Sequence, residues 1–435
     1  MSTHPEIAAL VNETPFIDTH EHLIEEKQRV AGEPDGRLLP CNDFAYLLLH
    51  YTGSDLIAAG MPGPDRQRFF GREADPEEKW RLVAPYWERV KHAGYGQAAR
   101  RSIRALYGVE DLNASTYTDV NERYRDLIRP GYYRTVLNDF AGVESCQVNS
   151  LQRVFMETEY PTLLYQDLSF VAMSTGLDLS GLSQASGLPA NTLAEWHAII
   201  DWHFATYGPR AIAVKNQSAY SRRLDYADVS AEEAAPLFAR HAAAGDLSPA
   251  ELKALQDHLF RYCVRRAVDY NLPVKLHTGY YAGANSMPLA RLRKNAGDLC
   301  PLLKDYPEAT FVLMHIGYPY QDEFIALGKQ YANARIDLCW AWIINPAASV
   351  RFLKEFLMAA PSNHLYTFGG DFYPVENIVG HAEIARQGIA QALSELVEEQ
   401  WLSLGEALAL APRLMHANAR ADFRLAEKSQ ALAAV

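Results

Sequence analysis

Cysteine is scarce in this chain and nothing in its spacing suggests pairing. Cys41, Cys146, Cys263, Cys300 and Cys339 are scattered, odd in number and never arranged as Cys-x-x-Cys, which argues against a disulfide framework and against a cysteine-held zinc. Cys146 and Cys339 sit in apolar surroundings and read as small core residues. Basic clusters are missing as well. With 41 Lys and Arg against 53 Asp and Glu the net charge is −12, and the densest basic group, Arg100, Arg101 and Arg104, is too small for a nucleic-acid or anionic-membrane face. No uninterrupted apolar stretch approaches a membrane span. The N-terminal MSTHPEIAAL has no basic region followed by a long apolar run, so no signal peptide is expected and a cytoplasmic location is. Neither GxGxxG nor GxxxxGK[ST] occurs, so the nucleotide-binding folds lack their fingerprint. Repeats and low-complexity tracts are absent.

What is present is an ordinary globular composition, 49% hydrophobic and 22% charged over 435 residues, enough for a large core. Eight short apolar runs end in polar, chemically capable residues. They are 15–20 (PFIDTH), 142–148, 161–170, 211–216 (AIAVKN), 273–279 (PVKLHTG), 310–317 (TFVLMHIG), 334–340 and 364–371 (HLYTFGGD). They are rich in Val, Ile, Leu and aromatics and lack strict alternation, as strands buried on both faces do. Helical patterns separate the later runs, notably 231–244, 249–270, 319–331, 346–358 and 375–396. Strand alternating with helix implies a parallel sheet. Eight such units predict an α/β chain closed as a (β/α)8 TIM barrel, one unit over residues 1–435.

About 120 residues separate the first two runs, and most have helical periodicity. Asn42 to Ala59 reads as one helix, Asp75-Pro76 as the start of a second running to His92, and Gln97 to Tyr107 as a third stopped by Gly108. An insertion after a barrel strand emerges on the catalytic face, so residues 37–112 are expected to form a lid. His50 and His92 are outside candidates for reaching the site from it.

In such barrels the chemistry comes from the C-terminal ends of strands. The first run ends in Thr19-His20-Glu21-His22, where His20 and His22, two apart on extended chain, project to one side and can reach one ion. The fifth ends in His277, the sixth in His315 and the eighth in Asp371. A single histidine of this kind is more often a hydrogen-bonded core residue. Four strand ends carrying His or Asp in order are much harder to explain structurally.

The order DTHEH, a lysine after the fourth run, His after the fifth and sixth, and Asp after the eighth resembles the amidohydrolase superfamily. VKLHTGYY, FVLMHIGYPY, AVKNQSAYSRRL and the run to GGD are similar to the amidohydrolase-like domain fused to a glutamine-synthetase-like domain in fungal and plant proteins. The 37–112 helices resemble the insertion of uronate isomerases, another branch. The resemblance implies that His20, His22 and Asp371 hold a divalent metal with His277 joining them, that Asp371 also takes a proton from activated water, and that His315 either ligates a second ion or binds a substrate oxyanion. Such an ion lowers the pKa of bound water from 15.7 to about 7. Histidine and carboxylate ligands suit zinc, with manganese and iron close behind, as one or two ions. In some amidohydrolases the lysine after strand four is carbamylated and bridges two metals. Lys215 stands at that position, and the alternative is an unmodified lysine contacting substrate. Lys275 is expected to pair with an acid below the site.

Tyr220, Arg222 and Arg223 follow the fourth run, Tyr280 and Tyr281 the fifth, Tyr318 and Tyr320 the sixth, Trp340 and Trp342 the seventh. Aromatic walls with a few polar groups are usual for small-molecule sites, and an arginine would suit a substrate carboxylate. Core packing explains each aromatic singly at least as well. The leading expectation is hydrolysis of an amide-type or lactone-type bond in a small carboxylated substrate. The alternatives are a non-hydrolytic reaction, decarboxylation or uronate-type isomerisation, and a non-enzymatic binding barrel. Homo-oligomerisation is expected by resemblance alone.

Overall fold

All eight apolar runs form parallel strands in the computed structural model, which describes residues 3–433. They are β1 (Phe16–Glu21), β2 (Val143–Val148), β3 (Leu164–Gln166), β4 (Leu168–Ser169), β5 (Val214–Asn216), β6 (Val274–Leu276), β7 (Phe311–Met314), β8 (Ala334–Asp337) and β9 (Leu365–Tyr366). The third run divides at Asp167 into β3 and β4, and the Asp167 carboxylate bonds the Lys275 ammonium. Every residue of β1, β5, β6 and β7 is buried, which is why these strands lack a polar alternate position.

The strands pair in sequence order, β1-β2-β3 and β4 through β9, every pair parallel. Two backbone bonds cross the Asp167 break, from Asp167 N to Val148 O and from Leu168 N to Ala213 O (both 2.9 Å). On the other side the chain leaving β9 bonds to β1: Thr19 N to Phe368 O (3.0 Å), Asp371 N to His20 O (2.8 Å) and His22 N to Phe372 O (3.1 Å). The helices between strands start where their sequences say they should. Ser230, Ser248 and Ser403 each close a capping box with the glutamate three residues on, satisfying backbone donors that would otherwise be orphaned. Among the described residues no helix is long and apolar enough to cross a membrane.

The insertion packs as a second core built on Phe44, Leu47, Phe69, Trp87, Ile103 and Leu112. This core continues past residue 112, since Val120 and Tyr124 of the Tyr117–Leu127 helix belong to it. The Pro76–Val90 and Gly94–Tyr107 helices form as expected, with Pro85 inside the first. The helix expected over 42–59 does not form as one piece. A short 3-10 turn covers Phe44–Leu48, and the α-helix begins again at Tyr51. His50 between them adopts φ 68°, a conformation a helix interior cannot hold.

The insertion packs on the Asn377–Glu398 helix through very small residues. A methyl group at Gly380, in the Asn377–Glu398 helix, would strike the Ala98 carbonyl on the insertion. Gly380→Ala should therefore push the two helices apart, costing about 1–3 kcal/mol as overpacking does and lowering Tm by a few degrees in a calorimetric scan.

Candidate metal and substrate site

Three of the strand ends share a backbone signature. His315 (φ 66°), Trp340 (φ 64°) and Asp371 (φ 61°) are left-handed without being glycine. Such conformations cost of order 1–3 kcal/mol and persist only where the surroundings over-determine them. Here they turn the chain away from the sheet while leaving each side chain over its end. Two glycines let the Asp371 segment pass close to β1: a Cβ on Gly369 would meet Cys339 and Thr19, and one on Gly370 would meet the Glu21 carboxylate. Glu21 in turn accepts the Phe372 amide (2.7 Å).

His20, His22 and Asp371 converge as their spacing suggests. His20 Nε2 lies 3.3 Å from His22 Nε2 and 3.4 Å from Asp371 Oδ1, and His22 Nε2 lies 3.2 Å from the same oxygen. His22 Nδ1 donates to the Asn149 carbonyl (2.8 Å), so its Nε2 presents a lone pair to the other two atoms. Ligands about 2.1 Å from a divalent ion stand about 3.4 Å apart in a tetrahedral arrangement, so these three fit such an ion. The protonation states agree. Burial, then the Lys215 charge, pushes His20 well below the usual histidine range. Burial raises Asp371, but its close contacts with His22, His20 and His315 outweigh it and hold the carboxyl well below its ordinary value. Both groups are thus in the form that binds a cation.

His277 and His315 form a second group beside the first. His277 Nε2 donates to Tyr280 O (2.9 Å) and His315 Nδ1 to Cys339 O (3.0 Å). The remaining nitrogens, His277 Nδ1 and His315 Nε2, meet at 3.0 Å with lone pairs facing. Burial lowers both, His277 strongly and His315 to about 4. His315 Nε2 is 3.9 Å from Asp371 Oδ2, so Asp371 stands between the two groups. Among the described residues, the compact set with His20 and His22 contains Asp371, and His277 lies outside that set beside His315. Cys339 lies near His315 and Asp371, yet burial keeps its thiol far above the usual range, in the form that does not ligate.

Lys215 Nζ sits 3.3 Å from His20 Nε2 and 2.9 Å from Met314 Sδ, and burial lowers it to about 8. Lys275 points below, as its position implies. Its ammonium bonds both Asp167 oxygens (2.9 Å each) and the Thr19 carbonyl (2.7 Å), tying β6 to β1 beneath the histidines. Asp18 and Asp337 complete this buried layer, raised by desolvation to about 6 and about 7.

A cavity of about 590 Å³ opens above this floor, reaching His22, Lys215, His277 and Asp371. Tyr220 borders it, its ring 4.5 Å from that of His277 and 4.6 Å from that of Tyr281. Other residues expected at the wall stand elsewhere. Arg222 is held by Asp257 and Gln256 and does not line the cavity. Arg223 is likewise bound to Asp298. The Tyr318 hydroxyl accepts from Asn345 (3.2 Å) and its ring packs on Tyr280. Tyr280 borders a smaller adjoining pocket. Trp340 is fully buried, stacked on Tyr51 (4.5 Å) and edge-on to His315 (5.3 Å), so it backs the wall from behind.

The insertion supplies the other half of the cavity through Arg37, His50, Tyr51, Ser54 and Arg66. His50 is clamped between Tyr51 and Tyr373 (ring centroids 3.9 and 3.8 Å) and lowered to about 3 by burial. His92 is exposed and far from this role. Tyr51 and the two arginines went unrecognised in the sequence, where no local pattern sets them apart. On this geometry His22→Ala and Asp371→Asn should each weaken metal retention at least tenfold, while His277→Asn keeps the ion. Metal-to-protein ratios by mass spectrometry after dialysis would check all three.

The family model described as amidohydrolase matches residues 200–425. Protein fluG of Emericella nidulans is 27% identical over 232 residues, 51% of this chain but 26% of its own length, so the chain spans only about a quarter of that relative. A uronate isomerase from Sphingopyxis alaskensis is 24% identical over 94% of this chain and 93% of its own. Among solved structures, glucuronate isomerase from Caulobacter crescentus superposes with a TM-score of 0.77 at 18% identity, covering 97% of this chain and 93% of that one. The expectation of amide or lactone hydrolysis is corrected by the curated relatives: those that align along 89 to 97% of this chain are uronate isomerases. On the extent of the family match, the chain belongs to the amidohydrolase family.

Proposed function

We propose that the protein is a metal-dependent isomerase that interconverts the aldose and ketose forms of a uronate-type sugar acid. The similarity to uronate isomerases along nearly the full chain carries this reading. On the same reading residues 1–435 are one unit whose strands close as a (β/α)8 barrel. The backbone bonds across Asp167 and between the β9 exit and β1 support closure. The insertion acts as the lid, and His20, His22 and Asp371 hold the ion, with zinc first and manganese or iron as alternatives.

The chemistry asked of the site is proton transfer between adjacent carbons. A proton leaves the carbon next to the carbonyl and returns to the carbonyl carbon, while the hydroxyl proton passes to the old carbonyl oxygen. No net oxidation occurs and no water is consumed. A divalent ion in this position supplies Lewis acidity toward the carbonyl oxygen. Asp371, held ionised, is placed to carry the proton. The Lys215 ammonium can donate to the oxygen on which negative charge develops, an electrostatic role strengthened by burial. Tyr220 offers an aromatic face to the sugar, and His50 and Tyr51 close the cavity from the lid.

The test is incubation of metal-loaded protein with D-glucuronate and D-galacturonate in D₂O. Ketose formation with deuterium at a single carbon is expected, and Lys215→Met should lower kcat by about 10- to 100-fold, the worth of a charged hydrogen bond. No conversion of either uronate by metal-replete protein would overturn the reading.

A further inference from the structure

Arginine in this chain is mostly committed to internal partners, which makes the exceptions informative. Beside the cavity Arg222 and Arg223 are neutralised by Asp257 and Asp298. On the insertion Arg68 is locked to Glu78, and Arg72 donates to the Gly32 and Leu39 carbonyls. Arg37 and Arg66 differ. Both line the cavity, both are exposed at its rim, and among the described residues neither makes a salt bridge or a side-chain hydrogen bond. Arg66 only packs over Phe70, 5.7 Å from the ring centre. The sole carboxylate lining the cavity is Asp371, at the floor and engaged by His20 and His22. The rim therefore carries two unbalanced positive charges in a protein of net charge −12.

We infer that Arg37 and Arg66 hold the substrate's carboxylate, so that the insertion and not the strand ends selects an acidic sugar. The inference rests on the sugar-acid reading above and adds the residues that recognise the acid. A guanidinium pairs a carboxylate through two parallel N–H donors, and one without an internal partner gives up no existing bond to do so. The placement is also chemically ordered. The carbonyl end of an open-chain sugar acid lies toward His22, Lys215 and Asp371, and the carboxylate, at the opposite end of the chain, lies toward the rim. A cationic rim also draws anions toward the opening from solution.

Binding is separated from turnover by using D-gluconate, which has the carboxylate but no carbonyl to isomerise, and D-glucitol, which has neither. Calorimetric titration of the metal-loaded protein should show gluconate at least tenfold tighter than glucitol, with the difference shrinking as salt is raised. In Arg37→Gln and Arg66→Gln that preference should fall several-fold each, and it should vanish in the double variant with metal content and Tm unchanged. If uronates are turned over, KM should rise at least tenfold in the double variant with kcat retained, the mark of uniform binding. Wild-type protein that does not favour gluconate, or a double variant that binds it as tightly as wild type, overturns the inference while leaving isomerisation intact. Gluconate held through both arginines without turnover of any uronate would instead overturn the proposed reaction and keep the anion site.

Discussion

The passage of Gly369-Gly370-Asp371 over the end of β1 is the contact on which the rest of the site depends. It brings Asp371 within 3.2 Å of His22 although some 350 residues separate them. Backbone bonds from Thr19, His22 and Asp371, together with the Glu21 carboxylate on the Phe372 amide, hold the crossing from both sides. Neither glycine tolerates a side chain there. The left-handed backbone of Asp371 is sustained by the same bonds, so the strain is local and its support is not.

Beneath that crossing the interior is polar to an extent that needs explanation, since buried charges are costly unless paired. Lys275 meets the cost by bonding both oxygens of Asp167 and the Thr19 carbonyl. Asp18, Glu21 and Asp337 are pushed toward their neutral forms by burial. At the floor of the cavity Asp371 is held towards its ionised form beside His20 and His315, which burial pushes towards neutral. That is the electrostatic state a cation site needs, and it arises from burial and geometry together.

The insertion walls one side of the cavity over the strand ends. It has its own apolar core, is seated on the Asn377–Glu398 helix through Gly380, and delivers His50 and Tyr51 through a helix break at a left-handed residue. Helical periodicity marks where insertion helices lie but says nothing of such a break. His50 was legible only as a candidate, and Tyr51, Arg37 and Arg66 were not legible at all.

The strands and the facing pair His20 and His22 could be read from the sequence because their causes are local. A strand buried on both faces has to be apolar throughout, and two histidines two apart on it have to face one way, so the 16–21 segment declares itself. The GGD run is similarly telling, since glycines are needed where backbone passes close to a carboxylate. Partnership is a different kind of property. Arg222 follows its strand as a substrate ligand would, yet Asp257, 35 residues away on the Pro249–Asp269 helix, is bound to it. His277 follows its strand as His20 follows another, yet its ring meets the Tyr280 carbonyl and His315, contacts its own segment does not announce. Which charge is already neutralised, and which is left facing a cavity, depends on groups distant in the chain, and only the tertiary structure decided it.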